Sequence, residues 1–260
     1  MSDVYVFGNG IRLRRSDVMD LQVERYSEPG NPNLHEPVEE EWILRRFAEA
    51  VPAAPVFLDI GAGVGYYSFL IKKRWPDAVI YAFEALSRHA DALEANRALN
   101  GLSPQDISII RAAVGPVSGE ASFVDQGYGS MLAGNGSNRA AVTVEMRSLT
   151  AVLETLPPVH LMKMDIQGAE LDVLEPASEL LGRGAVRHLV IGTHGRALHR
   201  GVVKLLTRLG FEIVLDDPTP PMQPDGLVVA SYPAGAKIAR ESWIESKAAA
   251  LRRVLKPAAQ

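Results

Sequence analysis

The chain has 260 residues, of which 27 are lysine or arginine and 31 are aspartate or glutamate, and it contains no cysteine. This length fits one sizeable domain with an extension, and the lack of cysteine excludes disulfides, a thiolate nucleophile and cysteine-ligated zinc. The formal net charge of −4 gives no reason to expect a nucleic-acid partner. We find no apolar run of transmembrane length and no signal peptide, and therefore expect a cytoplasmic protein without membrane insertion.

Residues 1–55 precede the main alternation of strands and helices and form a predicted N-terminal extension. A hairpin is expected around Gly8-Asn9-Gly10, because Asn-Gly favours tight turns. The apolar spacing of residues 38–50 predicts a helix. The extension serves either as a lid over a ligand site, with His35 and Glu36 closing on the ligand, or as cover for a sheet edge.

Residues 56–67 (VFLDIGAGVGYY) predict a buried strand, a tight glycine turn and the start of a helix. Gly61, Gly63 and Gly65 permit positive φ angles and let a ligand lie against the peptide groups. The free N–H groups at the start of the helix add hydrogen-bond donors. The turn is therefore expected to hold a nucleoside-like ligand, unless its glycines only pack the helix against the sheet.

The spacing of these glycines indicates the kind of ligand. A dinucleotide fingerprint places its third glycine where this chain has Tyr66, which argues against a dehydrogenase. With Asp59 ahead of the glycines, the pattern D-x-G-x-G-x-G resembles motif I of class I S-adenosylmethionine (SAM) methyltransferases. The next strand ends at Glu84, where an acid can accept hydrogen bonds from both ribose hydroxyls. The predicted cofactor-binding residues are Asp59, Gly61, Gly63, Gly65, Tyr66, Glu84, Ala113 and Asp165.

Strands and helices alternate through residues 56–235, the predicted core. Because the strands are apolar, we expect a mostly parallel sheet with helices on both faces. The segment between the last two strands is too short for a crossover helix, so one of them should be antiparallel. The predicted fold class is α/β, a Rossmann-like sheet of seven strands with one antiparallel strand near the C-terminal end. The predicted strands are 56–60, 78–84, 107–112, 121–125, 141–147, 159–164, 186–193, 211–215 and 226–232, and the predicted helices are 65–74, 88–100, 169–181 and 198–209.

Two segments fall outside this alternation. Residues 115–147 form a predicted insertion on the substrate side, with a glycine- and serine-rich loop. Tyr128 and Ser130 in this loop are predicted substrate contacts, although the loop could also be a plain hairpin tip away from the site. Residues 236–260 predict an amphipathic C-terminal helix for docking or homodimer formation, because its mixed charges argue against a membrane-surface helix.

A second group of polar residues follows the predicted strand 159–164. Asp165 ends that strand, Gly168 permits a turn, and Glu170 opens the next helix, where an acid suits the helix dipole. Side chains at the carboxyl ends of parallel strands face the ligand crevice. Asp165 could orient a nucleophilic hydroxyl, hold the methionine end of the cofactor or bind a metal. Glu170 either contacts the substrate or only starts the helix.

The run from Lys163 to Leu174 (KMDIQGAELDVL) resembles the K-x-D-x-(E/Q)-G-x-E-x-x-x-L signature of FkbM-type methyltransferases. Residues 113–123, which begin Ala-Val-Gly, resemble a second segment of that family. The resemblance covers residues 36–232 approximately. It implies SAM-dependent methyl transfer, most often to a hydroxyl of a sugar, glycolipid or polyketide-type natural product. Gln167 stands where the family usually has glutamate, so a carboxylate is missing at that position.

His194 follows the predicted strand 186–193, which should neighbour the strand that ends at Asp165. We therefore expect His194 close to Asp165, where an imidazole of near-neutral pKa could act as general base on an acceptor hydroxyl. His194 could instead bind the substrate or cap the following helix. A metal held by Asp165 and His194, with Asp216 or Asp217, is a rival that the spacing of the ligands does not favour.

The predicted catalytic residues are thus His194 and Asp165, in an in-line displacement on the sulfonium methyl of SAM. The acceptor is expected to be a small molecule or glycan. N-methylation and a non-catalytic SAM-binding scaffold are the alternatives. Nucleic-acid methylation is disfavoured, because no D-P-P-Y or N-P-P-Y motif follows the strand that ends at Asp165. His188 and His199 are expected to be surface or packing residues.

Overall fold

The structure, a computed structural model, describes residues 3–48, 50–124, 131–132, 141–221 and 223–233. Its strands are β1 (Val4–Val6), β2 (Arg12–Arg14), β3 (Val56–Ile60), β4 (Val79–Phe83), β5 (Ser108–Ile110), β6 (Ala113–Gly115), β7 (Gly119–Val124), β8 (Met131–Leu132), β9 (Ala141–Ser148), β10 (Val159–Met164), β11 (Val186–Thr193), β12 (Glu212–Asp217) and β13 (Gly226–Ser231). Its α-helices are α1 (Asp20–Tyr26), α2 (Pro37–Glu41), α3 (Tyr66–Arg74), α4 (Ser87–Leu99), α5 (Leu149–Thr155), α6 (Glu170–Leu174), α7 (Ser178–Gly182) and α8 (Arg196–Arg208). Tyr128, Ser130 and the predicted helix 236–260 lie outside the described residues. No described helix combines the length and the apolar character that crossing a membrane requires.

Seven strands form the main sheet in the order β12-β13-β11-β10-β3-β4-β5. Strand β13 runs antiparallel to its neighbours β11 and β12, and the other pairs are parallel. Phe57 packs into one apolar cluster with α3 and α4, whereas Leu58 packs into a second with α5 to α8. This alternation is what a strand buried on both faces requires. The predicted fold class is confirmed.

The turn between β3 and α3 has a conformation that favours glycine. Gly61, Gly63 and Gly65 have φ angles of 78°, 55° and 96°, a region that residues with a side chain rarely adopt. A Cβ atom on Gly61 would lie 2.0 Å from the carbonyl oxygen of Asp165, whereas one on Gly63 would meet no atom within 4 Å. Gly61 therefore allows close contact with the end of β10, and Gly63 leaves open space for a ligand.

The N-terminal extension packs against the core. Strands β1 and β2 form the predicted hairpin. The predicted helix 38–50 is wrong in extent, because α2 ends at Glu41 and a π-helical turn follows at Trp42–Arg46. The Phe47 amide donates to the Trp42 carbonyl at 3.1 Å. This wider turn lets both aromatic side chains reach the core, where they are fully buried. Helix α1 was not predicted.

The structure departs from the sequence predictions at three further places. The strand predicted at 107–112 corresponds to the shorter β5, and β6 was not predicted; β6 pairs with β9 in a second sheet of order β6-β9-β7-β8. The helix predicted at 169–181 divides into α6 and α7 around Pro176, which has no N–H to donate. Helix α5 was missed, although Ser148 caps it by accepting a hydrogen bond from the Ala151 amide.

Candidate active site

An open cleft lies at the carboxyl ends of β3, β4 and β10, the edge of a parallel sheet where ligands bind. The glycine turn lines it, and Phe123 of β7 reaches it from the second sheet. The N-terminal extension contributes Phe7, Leu13, Val18, Tyr26 and His35 to the lining. The extension is therefore part of the ligand cleft, and its movement as a lid stays a prediction.

Glu84 borders the cleft with both carboxylate oxygens engaged. Its Oε2 accepts a hydrogen bond from the Gly63 amide at 2.8 Å, and its Oε1 accepts one from the Leu86 amide at 2.9 Å. His89 Nδ1 lies 3.6 Å from Oε1. These contacts fix the carboxylate beside the open space at Gly63. Each oxygen keeps a lone pair, so Glu84 can still accept bonds from two ribose hydroxyls.

The other predicted cofactor residues divide into two groups. Those that line the cleft with Glu84 are Gly61, Gly63, Tyr66, Ala113 and Asp165. Gly65 packs against Phe69 of α3 instead, since an added Cβ would lie 2.5 Å from that ring. The Tyr66 hydroxyl donates to Glu40 Oε1 at 2.6 Å, so it is already engaged within the protein.

Asp59 is buried and is absent from the cleft lining. Its Oδ2 accepts a hydrogen bond from the Ser68 hydroxyl at 2.7 Å. Its Oδ1 has no hydrogen-bond partner within the described part of the chain. Burial raises the pKa of Asp59 to about 6. Asp59 thus supports the start of α3 through Ser68, and a direct contact with the cofactor stays a prediction.

Four ionisable side chains meet where β10, β11 and β13 approach one another. His194 Nε2 lies 3.6 Å from Asp165 Oδ1 and 3.3 Å from Asp225 Oδ1. His194 Nδ1 lies 3.0 Å from Oε1 of Glu170, which is fully buried. The structure thus places His194 beside Asp165, as expected from the strand order. Asp165 also lines the cleft, so it belongs both to this cluster and to the predicted cofactor site.

Asp225 was not predicted from the sequence. It directly precedes β13, whose first residue, Gly226, is opposite Thr193 of β11. Because β13 is antiparallel, it begins at the sheet edge where the parallel strands end. Asp225 therefore lies at the same edge as His194. Burial raises the pKa of Asp225 to about 6, against the attraction of His194. The predicted antiparallel strand was the signal that could have located Asp225.

The carboxylates around His194 change its charge. Burial alone would lower the pKa of His194, but the hydrogen bond with Glu170 and the charges of Asp165 and Asp225 raise it to about 9. The expected near-neutral pKa is therefore wrong for the free protein. At pH 7 the imidazole is protonated and forms ion pairs with its carboxylate neighbours.

The turn after β10 orients Asp165. Glu170 Oε1 accepts hydrogen bonds from the amides of Ile166 and Gly168 at 3.1 and 3.2 Å, which shape this turn. Gln167 has a φ angle of 58°, and its Nε2 donates to Asp165 Oδ1 at 3.1 Å. A glutamate carboxylate could not donate this bond. The departure from the family pattern at Gln167 therefore supplies a donor that orients Asp165.

The N-terminal extension adds two buried glutamates. The Tyr67 hydroxyl donates to Glu36 Oε2 at 2.7 Å, and Glu36 and Glu39 share a hydrogen bond. Burial raises the pKa of Glu39 well above its usual value, and the negative charge of Glu36 adds to this effect. Burial opposes ionisation of Glu36 too, but His35, Lys163 and the Tyr67 hydrogen bond lower its pKa to about 2. Glu39 therefore carries the shared proton.

Two overlapping groups of side chains could hold a metal ion. One is Asp165, Glu170 and His194, and the other is Glu36, Asp165 and Asp225. Within each group the ligand atoms lie within 4.8 Å of one another. Carboxylate oxygens and imidazole suit Mg²⁺ or a transition metal. The predicted pair Asp165 and His194 thus has the partners that a metal site would need.

Asp216 and Asp217 belong to neither group, which corrects the sequence prediction. They lie on β12, and two strands separate β12 from β10. His199 Nε2 contacts Asp216 Oδ1 at 2.8 Å, and His199 Nδ1 contacts Thr193 Oγ1 at 2.7 Å. His188 is also buried, with Nδ1 2.9 Å from the Ser231 hydroxyl. Both histidines are packing residues.

Comparisons with known proteins agree with this architecture. Residues 59–213 match the methyltransferase FkbM domain. The methyltransferase sdnD of Sordaria araneosa is 27% identical over 204 residues, which cover 64% of this chain and 77% of that protein. The crystal structure of methyltransferase FkbM from Methylobacillus flagellatus has a TM-score of 0.54 and 14% identity. That match covers 74% of this chain and 47% of the crystallised chain, so this chain spans about half of the solved relative. The chain belongs to the FkbM family of SAM-dependent methyltransferases.

Proposed function

We propose that the chain transfers a methyl group from SAM to a hydroxyl of a small molecule, such as a sugar, a glycolipid or a polyketide-type natural product. The observation that carries this proposal is that Asp165 belongs both to the cleft and to the cluster around His194. It lines the cleft that the glycine turn borders, and its Oδ1 lies 3.6 Å from His194. A cofactor in the cleft and an acceptor beside His194 would therefore be adjacent, as a single-step transfer requires.

The residues of the cleft fit SAM. Glu84 can bind the ribose, and the open space at Gly63 lets a ligand approach the backbone. Asp165 offers a carboxylate to the amino group of the methionine part. SAM supplies an electrophilic methyl group on a positively charged sulfur. The buried carboxylates near the cleft suit this positive charge.

The protonated state of His194 bears on its role as a base. To accept a proton from the acceptor hydroxyl, His194 must first lose its own. Asp225 lies 3.3 Å from His194 Nε2, but its pKa of about 6 is below that of His194, so the proton has to pass to solvent instead. A positive charge beside Asp165 would lower the pKa of His194, because like charges disfavour the imidazolium. His194 would then act as general base only with the cleft filled.

The first experiment is calorimetric titration of the protein with SAM, S-adenosylhomocysteine and NADH. We expect micromolar binding of SAM and no response to NADH. Acceptors would then be screened with methyl-labelled SAM on paired hydroxyl and amine compounds. Methyl transfer only to amines would favour N-methylation. SAM binding without methyl transfer to any acceptor would favour the scaffold alternative. No SAM binding would overturn the proposal.

Metal-assisted O-methylation is the second candidate, because two metal-capable groups share Asp165. In this alternative a cation would bind the acceptor oxygen and favour its ionised form. The test is the transfer rate with Mg²⁺ or Mn²⁺ added, against the rate in excess chelator. A rate that does not change with chelator would exclude this candidate.

The homodimer and the cytoplasmic location stay predictions. Light scattering at several protein concentrations tests the homodimer.

A further inference from the structure

Lys163 of β10 is a buried cation that the proposed reaction does not use. Its side chain is only 3% exposed, and lysine is rarely so buried unless it is paired. It points to the same side of the strand as Asp165, two residues later. Burial alone would lower the pKa of Lys163, but the adjacent Glu39 carboxyl group and the ionised carboxylates of Asp165 and Glu36 outweigh this effect and raise it. Lys163 is therefore charged at neutral pH.

The ammonium group of Lys163 connects the N-terminal extension with the edge of the cleft. Its Nζ lies 3.5 Å from Glu39 Oε1 and 4.5 Å from the centre of the Tyr67 ring. On the cleft side, Nζ lies 3.6 Å from Asp165 Oδ2. These partners come from α2, α3 and the turn after β10. Lys163 thus contacts three elements that surround the predicted cofactor site.

The two oxygens of Asp165 have different partners. Oδ2 faces Lys163, whereas Oδ1 accepts the Gln167 hydrogen bond and lies 3.6 Å from His194 Nε2. The terminal torsion of an aspartate is soft, so few barriers stop the carboxylate from rotating. A buried lysine with restricted motion would limit that rotation. Loss of the ammonium group would leave Oδ2 free to turn toward other partners.

We propose that Lys163 is a positioning residue that holds the Asp165 carboxylate in the orientation that binds SAM. The inference rests on the proposed function, because it assumes that Asp165 contacts the cofactor. Electrostatics alone predicts that removal of Lys163 would strengthen SAM binding. The loss of a nearby cation should tighten the binding of positively charged SAM. Weaker binding would therefore have to come from a change in geometry.

A double-mutant cycle tests whether Lys163 acts through Asp165. The dissociation constant of SAM is measured by calorimetry for the natural chain, Lys163→Met, Asp165→Asn and the double variant. We expect each single change to weaken binding about tenfold, and the double variant to stay within about twofold of Asp165→Asn alone. Lys72→Met is the control, because Lys72 is also a poorly exposed lysine with a carboxylate partner, Asp106, outside the cleft.

Each other outcome overturns the inference. Additive effects would mean that Lys163 acts independently of Asp165, for example by loosening the fold. Tighter binding in Lys163→Met would mean that Lys163 acts only through its charge, and unchanged binding would mean that it does not position Asp165. If the natural chain binds SAM but Asp165→Asn binds it equally well, the positioning role fails while the family function stands. If Lys163→Met does not fold, the cycle is repeated with Glu36→Gln added to every variant. In that background one ionised carboxylate is removed together with the lysine, so the buried charges stay closer to balance.

Discussion

His194 Nδ1 lies 3.0 Å from Glu170 Oε1, although 24 residues separate the two along the chain. The same oxygen of Glu170 accepts the amide hydrogen bonds that shape the turn after Asp165. The charge of His194 and the position of Asp165 therefore depend on one buried carboxylate. We therefore expect stability to depend on pH through this link.

Stability should fall between pH 6.5 and 9, and His194 should be one cause. Its pKa rises from 6.5 to about 9 on folding, so the stability that its protonation contributes is fully present at pH 6.5 and is lost as pH rises through 9. This shift is equivalent to roughly 3 kcal/mol at most. We expect the melting temperature of the natural chain to exceed that of His194→Gln at pH 6.5, and this difference to shrink at pH 9.5. An equal difference at both pH values would contradict the assignment.

Replacement of Glu84 by alanine should weaken SAM binding. Two hydrogen bonds to a charged acceptor would be lost, at about 1.5 kcal/mol or more each, so we expect a rise in the dissociation constant of about a hundredfold. Calorimetry measures this effect. Asp172→Asn is the matched control, since Asp172 is exposed on α6. Similar constants for the two variants would show that Glu84 does not bind the ribose.

Substitution of Gly61 by alanine should damage the fold more than the same change at Gly101. Both residues have similar positive φ angles, 78° and 72°. An alanine at either position would therefore have the same unfavourable backbone free energy of roughly 1–2 kcal/mol. A Cβ at Gly61 would overlap the Asp165 carbonyl, whereas Gly101 has nothing within 4 Å. We expect urea unfolding to show a loss above about 3 kcal/mol for Gly61→Ala. Equal losses would mean that the turn adjusts freely.

Glu36 and Glu39 should respond differently to replacement by glutamine. Glu39 carries the shared proton, and a glutamine amide can donate a hydrogen bond to Glu36 in its place. We expect Glu39→Gln to change the free energy of unfolding by less than about 1 kcal/mol at pH 7. Glu36→Gln removes an ionised carboxylate near Lys163 and should cost about 3 kcal/mol. The reverse order would place the proton on Glu36.

Much of the fold could be predicted because each strand of the main sheet is a short apolar run. Strand β10 was predicted with its observed bounds, and Asp165 follows it as expected. Strand β6, which was not predicted, depends on contacts that are distant in the chain. Strand β6 leaves the main sheet because it pairs with β9, about 30 residues away. No local pattern marks that change of partner.

Part of the candidate site could be predicted because some of its residues lie in local sequence motifs. Gly61, Gly63 and Glu84 belong to local motifs with a known chemical use, so their place in the cleft could be expected. Asp225 belongs to no such motif, and Lys163 opens the family signature without a chemical use that its spacing indicates. Their relation to Asp165 follows from the strand order and from burial, which only the folded chain defines.

The sequence by itself determined the class of fold, the cofactor motif and the family, because these depend on the spacing of apolar residues and glycines along the chain. Only the tertiary structure decided the charges at the site. The pKa of His194 is set by Glu170, Asp165 and Asp225, which come from different turns, and by their removal from water. Electrostatic interactions depend on distance and burial, so they cannot be derived from the order of residues alone.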